Sequence, residues 1–344
     1  MPDLDLSELG KLGGGTGEVQ VLWLQIEALK SGRTQQGKPF FDLEAVDAAG
    51  KGKFKIWSET EAFSFCEEAR AGDLCELRAV FSTNAFGINL SQPSLRHLNA
   101  EEKEVFLAGS PERQAARERD WEFILSTCGG MSEPRLKAVS LHCLEQFQKK
   151  WKRAAAARSF HHARRGGLVE HTSQMLRCAV ALAPLYREIF PDLLYTGVIF
   201  HDVGKLWEND YEGDSFLSYP SRRGELIGHI SLGIEVFNKC WRECEEKEPG
   251  VFAEAKPSSE LVRDHCLHLI ASHHGLKEYG SPVSPRTPEG WMLHHIDNID
   301  AKIEMLRCTY VEKKEVVPDL FEARRPLEGL AARPLMERMG PGQE

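Results

Sequence analysis

The sequence predicts a multidomain molecule, with an all-β barrel at the N-terminus and an all-α helical bundle after it. Three observations carry that expectation. Residues 18–98 alternate apolar and polar with period two, in short runs broken by Gly-, Asn- and Asp-rich turns. From Gly166 to about Tyr310 the apolar residues recur at helical spacing instead. Between them, residues 99–158 are charged and helical, with a break at CGGMSEP (128–134).

Taken in order, residues 1–17 are Gly-rich and polar and are expected to form a flexible tail. The first strand, 21–28, places Leu22, Leu24, Ile26 and Ala28 on one face. SGRTQQGKP then leads into a second strand, Phe40–Val46, and DAAGKG turns the chain into a third, Lys53–Trp57. There Phe54 and Ile56 face one way, and Lys53, Lys55 and Trp57 the other. A helical patch (Thr60–Arg70), a fourth strand (Asp73–Phe81, alternating through Cys75, Leu77 and Ala79) and a turn at Asn84–Gly87 lead to a last strand, Ile88–Leu90. Five short strands with a helix between the third and fourth have the order of an OB-fold barrel, here 18–98. Such barrels bind single strands with cationic side chains and aromatic platforms. Lys53, Lys55 and Trp57 fit that use, with Phe40 and Phe86 as further candidates; an outward Trp equally packs against a neighbouring domain.

In the helical linker, 99–158, Ser132 is placed to cap a helix over Leu136–Trp151, so the linker packs rather than tethers. Lys149, Lys150, Lys152, Arg153, Arg158, Arg164 and Arg165 follow without an Asp or Glu between Phe147 and Val169. That run reads either as a solvated helix face or as a local track for a polyanion. A formal net charge of −9 argues against gripping a polyanion over the whole surface, but not against such a track. The chemistry is expected in 159–312, and 313–344 reads as a loosely held C-terminal tail. No apolar run approaches the roughly 18 residues that span a bilayer, and the acidic N-terminus lacks a signal layout. Scattered cysteines without a CxxC pair fit a reduced, cytoplasmic protein; Cys240 and Cys244 lack the neighbours that would complete a zinc site.

Histidines cluster in the helical half. His171 heads the inward line His171, Met175, Cys178, Leu182 of one helix, and LLYTGVIFHDVGK ends an apolar helix on His201-Asp202. His229, His273-His274 and Asp297 follow. Imidazole and carboxylate together suit first-row divalent ions. Asp202 has two oxygens to share between two ions, the arrangement that splits phosphoesters, and Lys205 adds a positive charge one turn on. Any one histidine on an apolar face is ordinarily a satisfied core residue; the set is harder to explain as packing. His265, His268, His294 and His295 read as cap or surface residues, while His161 and His162 can line a substrate entrance.

His171, His201-Asp202 and Asp297 resemble the H…HD…D signature of the HD phosphohydrolases. HHARRGGLVEHT, GELIGHISLG, SHHGLKEYGSPVSPRTPE and LHHIDNIDAK are similar to the successive motifs of the YhaM-type 3′→5′ exoribonucleases, and SGRTQQGKPFFDLEAVDAAGKGKFKIW to the first hairpins of their OB domain. The resemblance runs from about Val19 to Arg307. It implies manganese-type dependence on two ions and shortening of single-stranded RNA, or DNA, from the 3′ end. By position, His171, His201, Asp202 and Asp297 would hold one ion. Asp202, His229 and His273 would hold the other, with His274 as alternate ligand or substrate contact, and Lys205 beside the scissile phosphate. The basic segment, with Arg164 and Arg165, would help the barrel feed the strand. The family often forms homo-oligomers, but the C-terminal PLEGLAARPLMERMGPGQE departs from its usual close. Two other readings stay open: an HD enzyme acting on a nucleotide or cyclic dinucleotide, and a nucleic-acid-binding protein with an inactive HD domain.

Overall fold

The computed structural model describes residues 2–6, 8–9, 17–84, 87–157, 164–210, 215–217, 219–312, 315–323 and 327–336. The period-two segment forms β1 (Gln20–Arg33), β2 (Pro39–Val46), β3 (Lys51–Trp57), β4 (Leu74–Asn84) and β5 (Gly87–His97), with α1 (Glu61–Glu68) between β3 and β4. All pairings are antiparallel, in the order β3-β2-β1-β4-β5. β3 and β5, at the two ends of that order, lie in contact, so the sheet curls into the expected OB-type barrel. Leu22, Leu24, Ile26, Leu43, Phe54, Ile56, Leu77 and Phe81 fill its interior.

Three local expectations need correction. A bulge between Ile26 and Ala28 shifts the alternation, so Leu29 rather than Ala28 continues the inward face. β5 has eleven residues instead of three, because it pairs with β4 alone and can carry polar residues on its exposed side. The N-terminal tail is not wholly flexible: Asp3 N donates to Val21 O at 2.8 Å, and Leu6 and Leu9 are buried in the barrel core. Short apolar spacing among polar residues hides that docking from a composition-based reading.

The helical part comprises α2 (Ala100–Ala108), α3 (Pro111–Gly129), α4 (Pro134–Trp151), α5 (Gly167–Leu182), α6 (Pro191–Phe200), α7 (Arg222–Ile227), α8 (His229–Lys247), α9 (Pro249–Ala253), α10 (Ser259–Ser272) and α11 (Pro288–Glu312). A two-residue ladder pairs β6 (Asn209–Asp210) with β7 (Tyr219–Pro220). Apolar on nearly every side, α6 is enclosed by α4, α5 and α10. Trp121, Trp151, Phe200, Phe237 and Trp241 anchor the core around it. The capping expected of Ser132 is made by Glu133, which accepts from Leu136 N at 2.8 Å; Ser132 Oγ instead donates to Asp192 Oδ2 at 2.8 Å, pinning the start of α4 to that of α6.

By contacts the chain divides into Met1–Asn99 with Lys302–Glu344, and Ala100–Ala301. This differs from the sequence boundaries at 98/99, 158/159 and 312/313, since α3 and α4 contribute Trp121, Ile124, Leu136 and Trp151 to the same core as the histidine-bearing helices. Part of the C-terminal tail is also folded. β8 (Glu315–Val317), β9 (Leu320–Glu322) and β10 (Leu330–Ala332) form a small sheet, with Phe321 buried against the Tyr310 ring, centroids 5.7 Å apart.

Candidate metal centre

Five helices and a tight turn bring the chemistry-bearing residues together. His171 lies in the first turns of α5, and His201-Asp202 ends α6 just before a 3-10 turn, Val203–Leu206. His229 is the first residue of α8, His273 caps the end of α10, and Asp297 lies within α11. Gly204 makes the approach of α8 possible: a Cβ there would lie 1.9 Å from His229 O, so any side chain would displace that histidine. After His274, Gly275 adopts φ +79°, where a Cβ would strike the His294 ring at 2.4 Å.

The ligand-type atoms fall into two groups, His171–His201–Asp297 and His229–His273–His274, each with its atoms within 4.8 Å of one another. Asp202 stands between them. Its Oδ2 is 3.2 Å from His201 Nε2 and 3.8 Å from His171 Nε2; its Oδ1 is 3.7 Å from His229 Nε2 and 3.8 Å from His273 Nε2. Lys205 Nζ lies 2.6 Å from Asp202 Oδ2.

Each imidazole is held by its outer nitrogen. Nδ1 of His201 donates to Val198 O at 2.8 Å, that of His273 to Ile270 O at 2.8 Å, and that of His274 to Tyr279 O at 2.9 Å. Nδ1 of His171 lies 2.7 Å from Asp300 Oδ2, and Nδ1 of His229 faces Glu208 Oε1 at 3.4 Å. Backbone carbonyls only accept, so the tautomer is set at three of the five and matched by carboxylates at the others. The Nε2 atoms of His171, His201, His229 and His273 therefore face Asp202, with His274 Nε2 beside that of His229. Nε2 of His229 and that of His274 lie 3.3 Å apart with no proton to share in that tautomer, while Nε2 of His171 lies 3.3 Å from that of His201 and 3.4 Å from Asp297 Oδ1. Asp202 Oδ1 and His273 Nε2 are buried without a hydrogen-bond partner. Such orphans are rare in folded proteins, and a divalent cation satisfies all of them at once. The donor set fits the metal.

The electrostatics agree. Burial pushes the His171 imidazolium down, but Asp297 and Asp300 overcome it and raise its pKa to about 9. Burial would raise the Asp202 carboxyl, yet Lys205, His201 and His229 hold it well below the usual range. Asp297 is likewise held far down, chiefly by its contact with His171. Burial, then the neighbouring imidazoles, keep His273 and His274 low and thus neutral, as ligands must be.

All seven sequence-selected ligand candidates, and Lys205, are thus brought together. The five selected for nucleic-acid contact lie differently. Lys53 is ion-paired with Glu44 at 2.9 Å and Lys55 with Asp42 at 3.4 Å. Lys55 Nζ sits 3.8 Å from the Phe40 ring centroid and 5.6 Å from that of Trp57, whose ring is half-buried and tilted against Phe40. Arg164 Nε donates to Glu170 at 2.9 Å, bracing the start of α5, and the half-buried Arg165 adjoins it. His161, His162, Arg158 and Phe86 lie outside the described residues. His265 faces Glu289, and His268 accepts from Arg286 N, as expected of structural residues. Sequence reasoning missed Asp300, Glu208 and the His294 Nδ1–His273 O bond of 2.9 Å, which steadies the His273–His274 peptide. For Asp300 a signal existed: it is three residues from Asp297 on one helix, hence on the same face.

Residues 168–302 match the family model for the HD domain. Fold and site together define an HD-domain hydrolase that binds a divalent metal. Over 296 residues the chain is 31% identical to the 3′-5′ exoribonuclease YhaM of Geobacillus sp. (strain WCH70), covering 84% of each chain. It is 32% identical over 291 residues to the protein of that name from Oceanobacillus iheyensis, covering 83% of this chain and 84% of the relative. The Bacillus licheniformis counterpart is 28% identical over 292 residues, covering 84% and 87%. The chain belongs to the 3′-5′ exoribonuclease YhaM family.

Proposed function

We propose that this protein shortens single-stranded RNA from its 3′ end, with single-stranded DNA as a secondary substrate, using two manganese ions in the cytoplasm. The observation that carries the reading is the Asp202 carboxylate set between two clusters of ligand-type atoms, His171–His201–Asp297 and His229–His273–His274. Polarity of attack and the preference for RNA come from the relatives. Buried, free thiols accord with a reducing compartment.

His171, His201, Asp202 and Asp297 would hold one ion, and Asp202, His229 and His273 the other, with His274 beside it. Bound there, the ions would supply Lewis acidity toward the phosphoryl oxygens and acidify a water. Asp202 offers one oxygen to each side and stays ionised because Lys205, His201 and His229 surround it. The Lys205 ammonium gives the pocket a fixed positive charge against which a phosphate oxygen can rest. The Nδ1 anchors hold five rings ready, so little reorganisation is needed when substrate arrives. Protein nucleophiles are poorly placed: burial pushes the thiols of Cys66 and Cys128 up to about 12.

A cyclic-dinucleotide phosphodiesterase could use the same ligands, but it has little need of a five-stranded OB barrel. A gel time course on 5′-labelled single-stranded RNA, with Mn²⁺ and with EDTA, decides. A metal-dependent ladder that shortens from the 3′ end supports the exonuclease. An RNA left intact, beside a cleaved cyclic dinucleotide, transfers the assignment.

A further inference from the structure

A second feature of the helical unit is unexplained by the metal centre. A cavity of about 510 Å³ is lined by Lys149, Lys150 and Arg153 at the end of α4, by Trp207, and by Arg222 and Arg223 at the start of α7. Asp210 is the one carboxylate among its described lining residues. Arg223 pairs with Glu235, but Lys149, Lys150 and Arg222 make no ion pair among the described residues. Lys150 Nζ lies 4.2 Å from the Trp207 ring centroid, and Trp207 is set edge-on against Phe147 at 4.9 Å. Burial holds the Lys150 ammonium somewhat below its usual range, the mark of a charge lacking full solvation. These cations come from segments about seventy residues apart, in a protein whose net charge is −9. Like charges gathered in excess of the acids beside them repel, and an anion relieves that repulsion.

The cavity also adjoins the chemistry. Trp207 directly follows the Val203–Leu206 turn that carries Lys205, and Glu208, the next residue, faces His229. The four-residue 3-10 turn Val203–Leu206, at about 2 Å a residue, keeps Trp207 within roughly 10 Å of Asp202 along the chain. That is the reach of the nucleotides next to the one being cleaved.

We propose that this cavity is a subsite for the phosphodiester backbone of the strand just upstream of its 3′ end, with Lys149, Lys150 and Arg222 neutralising successive phosphates. It binds through phosphate, so it is indifferent to sequence. The proposal rests on the exonuclease reading above.

The test uses the full chain with Mn²⁺ and a triple variant, Lys149→Ala with Lys150→Ala and Arg222→Ala, all exposed positions. The readout is the ratio of kcat/KM for a 20-nucleotide RNA to that for a dinucleotide too short to occupy the cavity. In the variant the ratio falls about tenfold, and the slope of log affinity against log salt for the long strand flattens by about 2, at ~0.7 for each phosphate no longer neutralised. A single Arg222→Glu variant lowers the ratio in the same direction. An unchanged ratio and salt slope, with the wild type still shortening RNA, overturns the subsite alone. Loss of free nucleoside triphosphate binding, with long-strand kinetics unchanged, also overturns it and makes the cavity an effector site. A wild type that leaves every RNA intact overturns both readings together.

Discussion

The outer face of the barrel and the centre of the HD domain are both rich in ionisable side chains, yet they are arranged in opposite ways. On the barrel, Lys53 lies directly across the ladder from Glu44 and Lys55 from Asp42, so each cation faces an acid on the neighbouring strand. Lys30 shares the same Glu44 at 3.3 Å. That face is satisfied with nothing bound. In the HD centre imidazole nitrogens crowd round one buried carboxylate, Asp202, and both Asp202 Oδ1 and His273 Nε2 lack a hydrogen-bond partner. Residue type alone does not mark a ligand site. Groups held apart from the partners they need do mark one, because burying unpaired lone pairs is unfavourable until a ligand arrives.

The sharpest way to break this contrast is to remove the shared carboxylate. Asp202→Ala should lower kcat by ~10³-fold or more, since several kcal/mol of transition-state stabilisation depend on the ions it holds. Metal content by mass spectrometry should fall with it. Full metal occupancy in an inactive variant would mean that Asp202 acts on substrate rather than between ions.

Stripping the metal should expose a pH dependence above neutrality, in a range where the buried barrel carboxyl Asp47, raised only to about 6, no longer titrates. His171 has its folded-state pKa raised to about 9 against an ordinary value near 6.5, so its protonated form stabilises the fold. That contribution is complete below pH 6.5 and is lost as pH rises through 9. It amounts to on the order of 3 kcal/mol in the EDTA-treated protein. Bound metal takes the place of that proton, so stabilisation by added divalent ion should grow over the same interval. Urea denaturation at about pH 6 and about pH 9.5, with and without EDTA, checks both statements. A metal-free stability that is flat between those values removes His171 as the proton-bearing group.

How far these contrasts were legible in the sequence follows from how local each one is. Strand alternation in Cys75–Phe81 and the mostly apolar α6 are local patterns, and both elements form where they were expected. The residues of the candidate centre were legible too, because imidazoles and an HD doublet in apolar helices are conspicuous. Partners were not. Glu208 reaches His229 only through the fold of the Val203–Leu206 turn, and nothing in its spacing announces that contact. Acids across a hairpin depend on register, so the pairing of Lys53 and Lys55 stayed hidden although Glu44 and Asp42 were in plain view. The docking of Leu6 and Leu9 into the barrel is likewise tertiary.

Glu208 tests whether the supports of the centre matter as its ligands do. It faces His229 Nδ1 and is held low by that contact and by Lys205, against the effect of burial. Glu208→Gln keeps the shape but removes the charge that fixes the His229 tautomer. Metal affinity should weaken about tenfold, at the lower end of what such supporting residues contribute. Excess Mn²⁺ should restore most of the activity, which a loss of folding would not allow. Unaltered metal titration would reduce Glu208 to a packing role.

The smallest effect is expected on the barrel, and it bears most directly on what the satisfied face is for. If the face binds RNA mainly through rings, Trp57→Ala should raise KM for a 20-nucleotide strand about fivefold, near the lower bound for losing one stacked base. Lys53→Ala should change it less than about twofold, because an exposed ion pair already occupies that charge. Lys55 lies between these cases: its ammonium faces the Phe40 ring as well as Asp42, so Lys55→Ala also alters the surface on which a base would stack. The order Trp57, Lys55, Lys53 therefore identifies a stacking platform. The reverse order would show that RNA displaces Glu44 and Asp42 from the lysines, and the barrel would then be an electrostatic clamp whose ion pairs open on binding. Equal, negligible effects from all three would leave the rings with a packing role and assign strand binding elsewhere.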